Sequence, residues 1–233
     1  MNGHGQLWWT GLKLACAVAL TIGPSACTNQ GENFFQRIGD LTVTTIAGPE
    51  EIQQPELTRA ELNKIPYATI SVSAGGGPRA YLVPLANNAG YLDYRDAASN
   101  SVRILGGAVA AFESTGFDLD AVRYDPADPI AYPRPLALWS ASVWRQYQLS
   151  ARHHSAYVIS LNCVFQIRER KTIEIVEINY DLTRITEICT NARRQVTNTY
   201  WIDQDTGFIW KSEQWLGPKI GHVSIEVIRP FAE

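Results

Sequence analysis

Methionine, histidine, cysteine and long apolar runs are all scarce in this chain of 233 residues, and each shortage narrows what the chain can be. The most extended apolar run, residues 14–22, is nine residues long. At a helical rise of about 1.5 Å per residue it falls well short of a hydrocarbon core about 30 Å thick, which excludes a permanent helical span there. Basic residues are not concentrated. Twenty Lys and Arg are set against 23 Asp and Glu, for a net charge of −3, and their scatter excludes the basic footprint of a nucleic-acid binder. Four His leave few zinc ligands, and the adjacent pair His153 and His154 would point to opposite faces of a strand. Met1 is the single methionine, and the four cysteines form no C-x-x-C motif. What is plentiful is core material. Hydrophobic residues make up 45% and charged residues 18%, so the chain is able to bury a core and is not disordered.

The first 26 residues read as an export signal. Lys13 places positive charge before the apolar run, and Gly23, Pro24, Ser25 and Ala26 lead into Cys27. The small residues before Cys27 resemble a bacterial lipobox, although Pro24 stands where that pattern usually has Leu. The resemblance implies cleavage before Cys27 and acylation of its thiol and amino group. Thr28 after the cysteine, rather than Asp, resembles the outer-membrane sorting pattern. A simple secretory cut after Ala26, releasing a free periplasmic protein, is the alternative. On this reading residues 1–26 are a lipoprotein signal peptide, 27–40 the lipidated cysteine and a polar tether, and 41–233 one β-rich domain.

With Cys16 removed and Cys27 acylated, Cys163 and Cys189 remain in an oxidising compartment, where a disulfide is the natural expectation. Closing that loop of about 26 residues stabilises a fold by ~3 kcal/mol in the chain-entropy picture. Free thiols and a metal site are the alternatives.

Period-two alternation dominates the rest. One helix signal stands out: Thr58 and Glu61 have capping-box spacing, and Pro66 ends the helix within about two turns. Strands are expected at residues 67–73, 79–85, 91–94, 101–105 and 108–113, punctuated by Gly, Asn and Asp. A stretch at 41–46 also leans to strand. Residues 116–135, rich in Asp and Pro, read as a loop. Longer strands follow at 136–149, 153–168 and 172–180. The clearest hairpin joins 195–203 to 208–215 through Gly207, and a last strand covers 221–229. The fold class is all-β: an antiparallel sandwich or an incompletely closed barrel with one or two short helices.

No catalytic constellation is recognisable, so a non-enzyme is expected. No cofactor is implied. Asp118, Asp120, Asp125 and Asp128 lack the spacing of a calcium loop, and two of them precede proline, where they begin turns. Ser212 has neither a nucleophile elbow nor a partnered His. The hairpin carries Tyr200, Trp201, Asp203, Trp210, Lys211, Gln214 and Trp215, a mixture of rings and hydrogen-bonding groups suited to stacking on sugars. Large aromatics ordinarily fill cores, and that is the first expectation for these rings. If one face is open, it is the candidate glycan or partner surface. Alternation puts Tyr200 with Ile202, Trp201 with Asp203, and Trp210 with Ser212 and Gln214.

A family resemblance extends over most of residues 57–230. It is carried by LTRAEL at 57–62, IPYATI at 65–70, GGGPRAYLV at 75–83, Gly106 and Gly107 before Val109, TGFDL at 115–119, and Asp128 with Pro129. It continues through Cys163, Glu187 to Cys189, NTYWID at 198–203, GFIWKS at 207–212, Gln214, Gly217 with Pro218, and Arg229 with Pro230. These residues resemble the YjbF family of lipoproteins, the group 4 capsule polysaccharide lipoprotein family. The resemblance implies a role in exopolysaccharide or capsule production or export, beside other envelope proteins that include an outer-membrane barrel. It implies no reaction. Two functions are therefore expected. One is a non-catalytic outer-membrane lipoprotein, at the periplasmic face, that docks on an envelope export partner. The alternative is a periplasmic protein that binds or modifies the glycan itself.

Overall fold

The computed structural model describes residues 57–97, 99–113, 117–151 and 154–231. The signal segment, Cys27, the tether, the stretch at 41–46 and His153 lie outside these residues. Within them the alternating segments become twelve antiparallel strands: β1 (Thr69–Ala74), β2 (Ala80–Asn88), β3 (Tyr91–Arg95), β4 (Ser101–Leu105), β5 (Ala108–Glu113) and β6 (Phe117–Tyr124), then β7 (Ser142–Ala151), β8 (His154–Ile175), β9 (Ile178–Asn191), β10 (Arg194–Ile202), β11 (Ile209–Trp215) and β12 (His222–Arg229). Each strand pairs with its neighbours in sequence, and β1 pairs with β12, which closes the sheet into an up-and-down barrel. Closure leaves no unpaired sheet edge. Of the two expected architectures the barrel is the one formed. Its closing seam, with Ile70 opposite Val227 and Val72 opposite Ile225, joins segments from the two ends of the domain.

Several segments depart from the sequence reading: β9 covers 181–191, where no strand is expected, and Leu136–Leu138 form a short 3-10 helix where a strand is expected to begin. The expected loop at 116–135 contains β6, because Leu119 and Val122 turn inward while Asp120 and Arg123 stay in solvent. The expected strand at 172–180 contains the β8–β9 turn. Val176 and Glu177 make that turn at φ 44° and 62°, a left-handed conformation that β-branched valine strongly resists. The strain is held from elsewhere. Arg59, in helix α1 (Arg59–Leu62), donates to the carbonyl oxygens of Ile175 (3.0 Å) and Val176 (2.8 and 3.0 Å). The helix itself starts as expected, with Thr58 and Glu61 forming a complete capping box.

Beyond a bulge between Ile167 and Arg170, the β8–β9 hairpin continues as an arm. Its Ile173, Ile175 and Tyr180 join Leu57 and Leu62, from α1 and its approach, over Ile228 and Trp210 on the barrel's outer side. The interior is filled by a large aliphatic cluster and a smaller one around Tyr200, Ile202 and Ile209. Tyr124 and Phe165 pack against both. The segment between β6 and β7 reaches into the smaller cluster through Ile130 and Ala131, both buried. Gly207 permits this closure, since a Cβ there would lie 2.1 Å from the Arg134 carbonyl oxygen and its φ is +77°.

Candidate functional site

The β10–β11 hairpin divides its seven candidate residues among separate environments. Tyr200, Gln214 and Trp215 are buried. The Gln214 side-chain amide donates to the Gly107 carbonyl at 2.8 Å and accepts from the Val109 N–H at 3.1 Å, which ties β11 across the interior to β5. Trp215 meets Tyr147 edge-on at 5.5 Å, with the Arg194 guanidinium 5.4 Å from its ring centre. Trp201 and Lys211 are cross-strand partners, with the ammonium 5.5 Å from the indole centre. Lys211 also pairs with Glu226 at 2.7 Å, and Glu226 with Arg79 at 3.1 Å. Asp203 accepts the N–H groups of Asp205 and Thr206, both at 2.9 Å, and so caps the turn. Those bonds, that from Thr206 foremost, hold its carboxyl below the usual aspartate value.

Trp210 corrects the expected alternation. The register slips between Trp201/Ile202 and Lys211/Ile209, so Trp210 is the extra residue of a bulge. It leaves Ser212 and Gln214, packs face-tilted on Tyr180 (4.1 Å) and meets Phe208 edge-on (4.9 Å) beneath the arm. The seven residues therefore do not form one open surface.

Instead the barrel holds a buried polar network. Arg145, 1% exposed, points inward from β7 between Asp128 and Glu187, both fully buried. Its Nε and Nη2 reach the two Asp128 oxygens at 2.6 and 3.1 Å. Its Nη1 and Nη2 reach the Glu187 oxygens at 3.0 and 2.8 Å. Asn198 and the Tyr200 hydroxyl also donate to Glu187, at 2.7 and 2.9 Å, and the Arg145 carbon lies 5.4 Å from the Tyr124 ring centre. Asp128 accepts two hydrogen bonds from the guanidinium and Glu187 one, while Glu187 Oε1 lies within ion-pair distance without accepting a hydrogen bond. Burial raises the Glu187 carboxyl above its ordinary value, with Arg145 opposing and Asp128 adding to the rise. Burial also works against the Arg145 charge, but Glu187 and Asp128 outweigh it and hold the guanidinium firmly protonated.

These residues were legible in part. Arg145 is in phase with inward Val143, Tyr147 and Leu149, and Glu187 with Ile185 and Cys189. A charge on the apolar phase of a strand is the signal for a buried ion pair. Asp128 belongs to this network, and the other three aspartates of the Asp-rich segment do not join it. Asp120 accepts from Ser150 at 2.6 Å, and Asp125 accepts the Ala127 N–H at 2.9 Å.

Cys163 and Cys189 sit opposite each other on β8 and β9 and are joined by the expected disulfide. Glu187 approaches this pair closely enough to suggest a three-residue metal group, but sulfurs bonded to each other supply no thiolate ligand. At one end of the interior a cavity of about 210 Å³ remains, lined by Ile70, Leu92, Tyr94, Ile104, Ile225 and Phe231 among others. Small-molecule sites usually exceed about 300 Å³. Burial pushes the Tyr94 phenol up to about 12.

The fold and its filled interior define a closed up-and-down barrel whose polar core is built from mutually paired charges. In particular, the chain belongs to the family of group 4 capsule polysaccharide lipoproteins gfcB and YjbF, whose family model matches residues 35–228. Among solved structures it is similar to the hypothetical lipoprotein YmcC from Escherichia coli K12, with a TM-score of 0.66 and 18% identity. That match covers 80% of this chain and 100% of the other. At that identity the likeness speaks for the fold. No curated protein matches.

Proposed function

We propose that this chain is a non-catalytic accessory of exopolysaccharide or capsule export, held by a lipid on Cys27 at the periplasmic face of the outer membrane and docked on an envelope partner. The carrying observation is the barrel interior. Its charged groups, Arg145, Asp128 and Glu187, are sealed and spent on one another rather than aimed at a cleft. Glycoside chemistry needs two carboxylates on either side of an accessible bond, and these two share one guanidinium out of reach of solvent. Membership of a capsule polysaccharide lipoprotein family supports this reading. The small residues before Cys27 and the lipoprotein family support attachment through the lipid.

The test is polysaccharide output in a deletion strain complemented with wild type or Cys27→Ala. Output should fall on deletion and return with wild type, while the unlipidated form should restore little. Unchanged output on deletion would reject the role, and equal rescue by Cys27→Ala would reject the anchor.

A further inference from the structure

On the outer face of β7, β8, β9 and β10, two neighbouring rows of side chains carry no charge. In register, one row across the four strands reads Trp144, Asn162, Thr190 and Gln195. The next reads Ser142, Val164, Ile188 and Thr197. A third crosses Gln166, Thr186 and Thr199, and there the Arg168 guanidinium donates to both Gln166 and Thr186. On the other side of the first row, Gln146 faces Ser160, and Gln148 faces Val158. Each of these side chains is exposed or half-buried, while the residues between them, such as Val143, Leu161, Cys163 and Ile185, are buried. About a quarter to a third of a soluble surface is ordinarily charged. Charge surrounds these two rows, with Arg123 and Asp120 on β6, Arg168 beside Gln166, the Arg184–Glu169 pair beside Thr186, Arg193 in the β9–β10 turn, and Glu213 beside Thr199.

We infer that this face is a binding surface for a polysaccharide chain lying across the strands, through stretches of the polymer that bear no charge. The inference rests on the reading of the protein as an accessory of polysaccharide export. Amides and hydroxyls both donate and accept hydrogen bonds, which matches sugar hydroxyls. Trp144, 37% exposed, supplies the one large ring, placed at the end of the first row for stacking on a pyranose. Neighbouring strands lie about 4.8 Å apart, close to the advance of one residue in an extended pyranose chain, so each strand can present a side chain to successive sugars. A protein partner fits less well, because interface centres are rich in aromatic residues, Met and Arg, and these rows hold one aromatic residue, Trp144, and neither Met nor Arg.

The test uses the full-length lipoprotein in detergent, run by affinity electrophoresis through gels containing the polysaccharide purified from the producing cells. Wild type should be retarded, and the retardation should persist from about 50 to 500 mM salt, since screening acts on charge. Trp144→Ala and Asn162→Glu, both exposed and each checked for an unchanged melting temperature, should weaken binding tenfold or more. Glu174→Ala, on the arm, should not. Absence of retardation, full competition by the anionic polymer alginate, or loss of binding in salt would overturn the proposal. So would an Asn162→Glu protein that binds the polysaccharide normally yet loses a crosslink to an envelope protein, which would make the face a protein dock. That result would leave the export role standing. Unchanged polysaccharide output in the deletion strain is the separate result that removes the export role itself.

Discussion

Replacing Arg145 with Leu should damage the protein more than any surface change, and in a pH-dependent way. The substitution leaves Asp128 and Glu187 buried without their shared cation, and the Asn198 and Tyr200 donors reach only Glu187. Removing one partner of a buried ion pair costs about 3–5 kcal/mol, chiefly from the stranded charge. With a urea m-value of about 2 kcal/mol/M, the midpoint at pH 7 should fall by roughly 2 M. The sign with pH follows from Glu187. Burial already holds its carboxyl above the ordinary value although Arg145 opposes the rise, and losing Arg145 raises it further. A carboxyl raised in the folded state binds protons more tightly there than in the unfolded chain. Stability is then greatest below the unfolded value near 4.5 and falls as pH rises through the folded one. The gap between variant and wild type should therefore narrow from pH 7 to pH 5, measured by urea unfolding followed by tryptophan fluorescence. A loss under ~1 kcal/mol at pH 7, or a gap that stays constant with pH, would refute this account of the network.

Three further outcomes are expected. Reducing the disulfide, or replacing Cys163 and Cys189 together with Ser, should lower stability by ~3 kcal/mol for a closed loop of this length, read as a lower urea midpoint; an unchanged midpoint would contradict it. Burial pushes the Tyr147 phenol up to about 12, and those of Tyr124 and Tyr200 well above their ordinary value. Groups raised this way favour the fold less as pH climbs past 10, so their ionisation at 295 nm should appear together with loss of tertiary circular dichroism; smooth titration of a still-folded protein would argue otherwise. Replacing Val176 and Glu177 with Asn and Gly should relieve left-handed strain of about 1–3 kcal/mol and raise the melting temperature, while Arg59→Ala should lower it; a lower temperature for the Asn-Gly variant would show that the turn is not strained.

What could be read in the sequence was local. The capping box at Thr58 and Glu61, the strands at 101–105 and 108–113, and the hairpin turning at Gly207 follow from near neighbours, and the structure has them all. The disulfide was legible because compartment and cysteine count left one pair. What was missed depended on distant partners. No strand was assigned at 181–191, where inward Glu187 breaks the apolar phase, and its justification is Arg145 on another strand. The β8–β9 turn carries no Gly or Asn, because Arg59 clamps it from α1. Strict alternation puts Trp210 on the wrong face, because a single-residue bulge leaves no mark in an alternating pattern. The uncharged rows were invisible until register set Trp144 beside Asn162 and Asn162 beside Thr190.

The central claim is that the protein assists export and does not alter the polymer. Linkage and substituent analysis of the polysaccharide made by wild-type and deletion strains, with its surface and periplasmic fractions measured separately, tests this most directly. The account predicts the same repeating unit in both strains, with less polymer reaching the surface after deletion. Full export of a polymer with changed linkages, substituents or chain length would contradict it and make the protein a glycan-modifying enzyme.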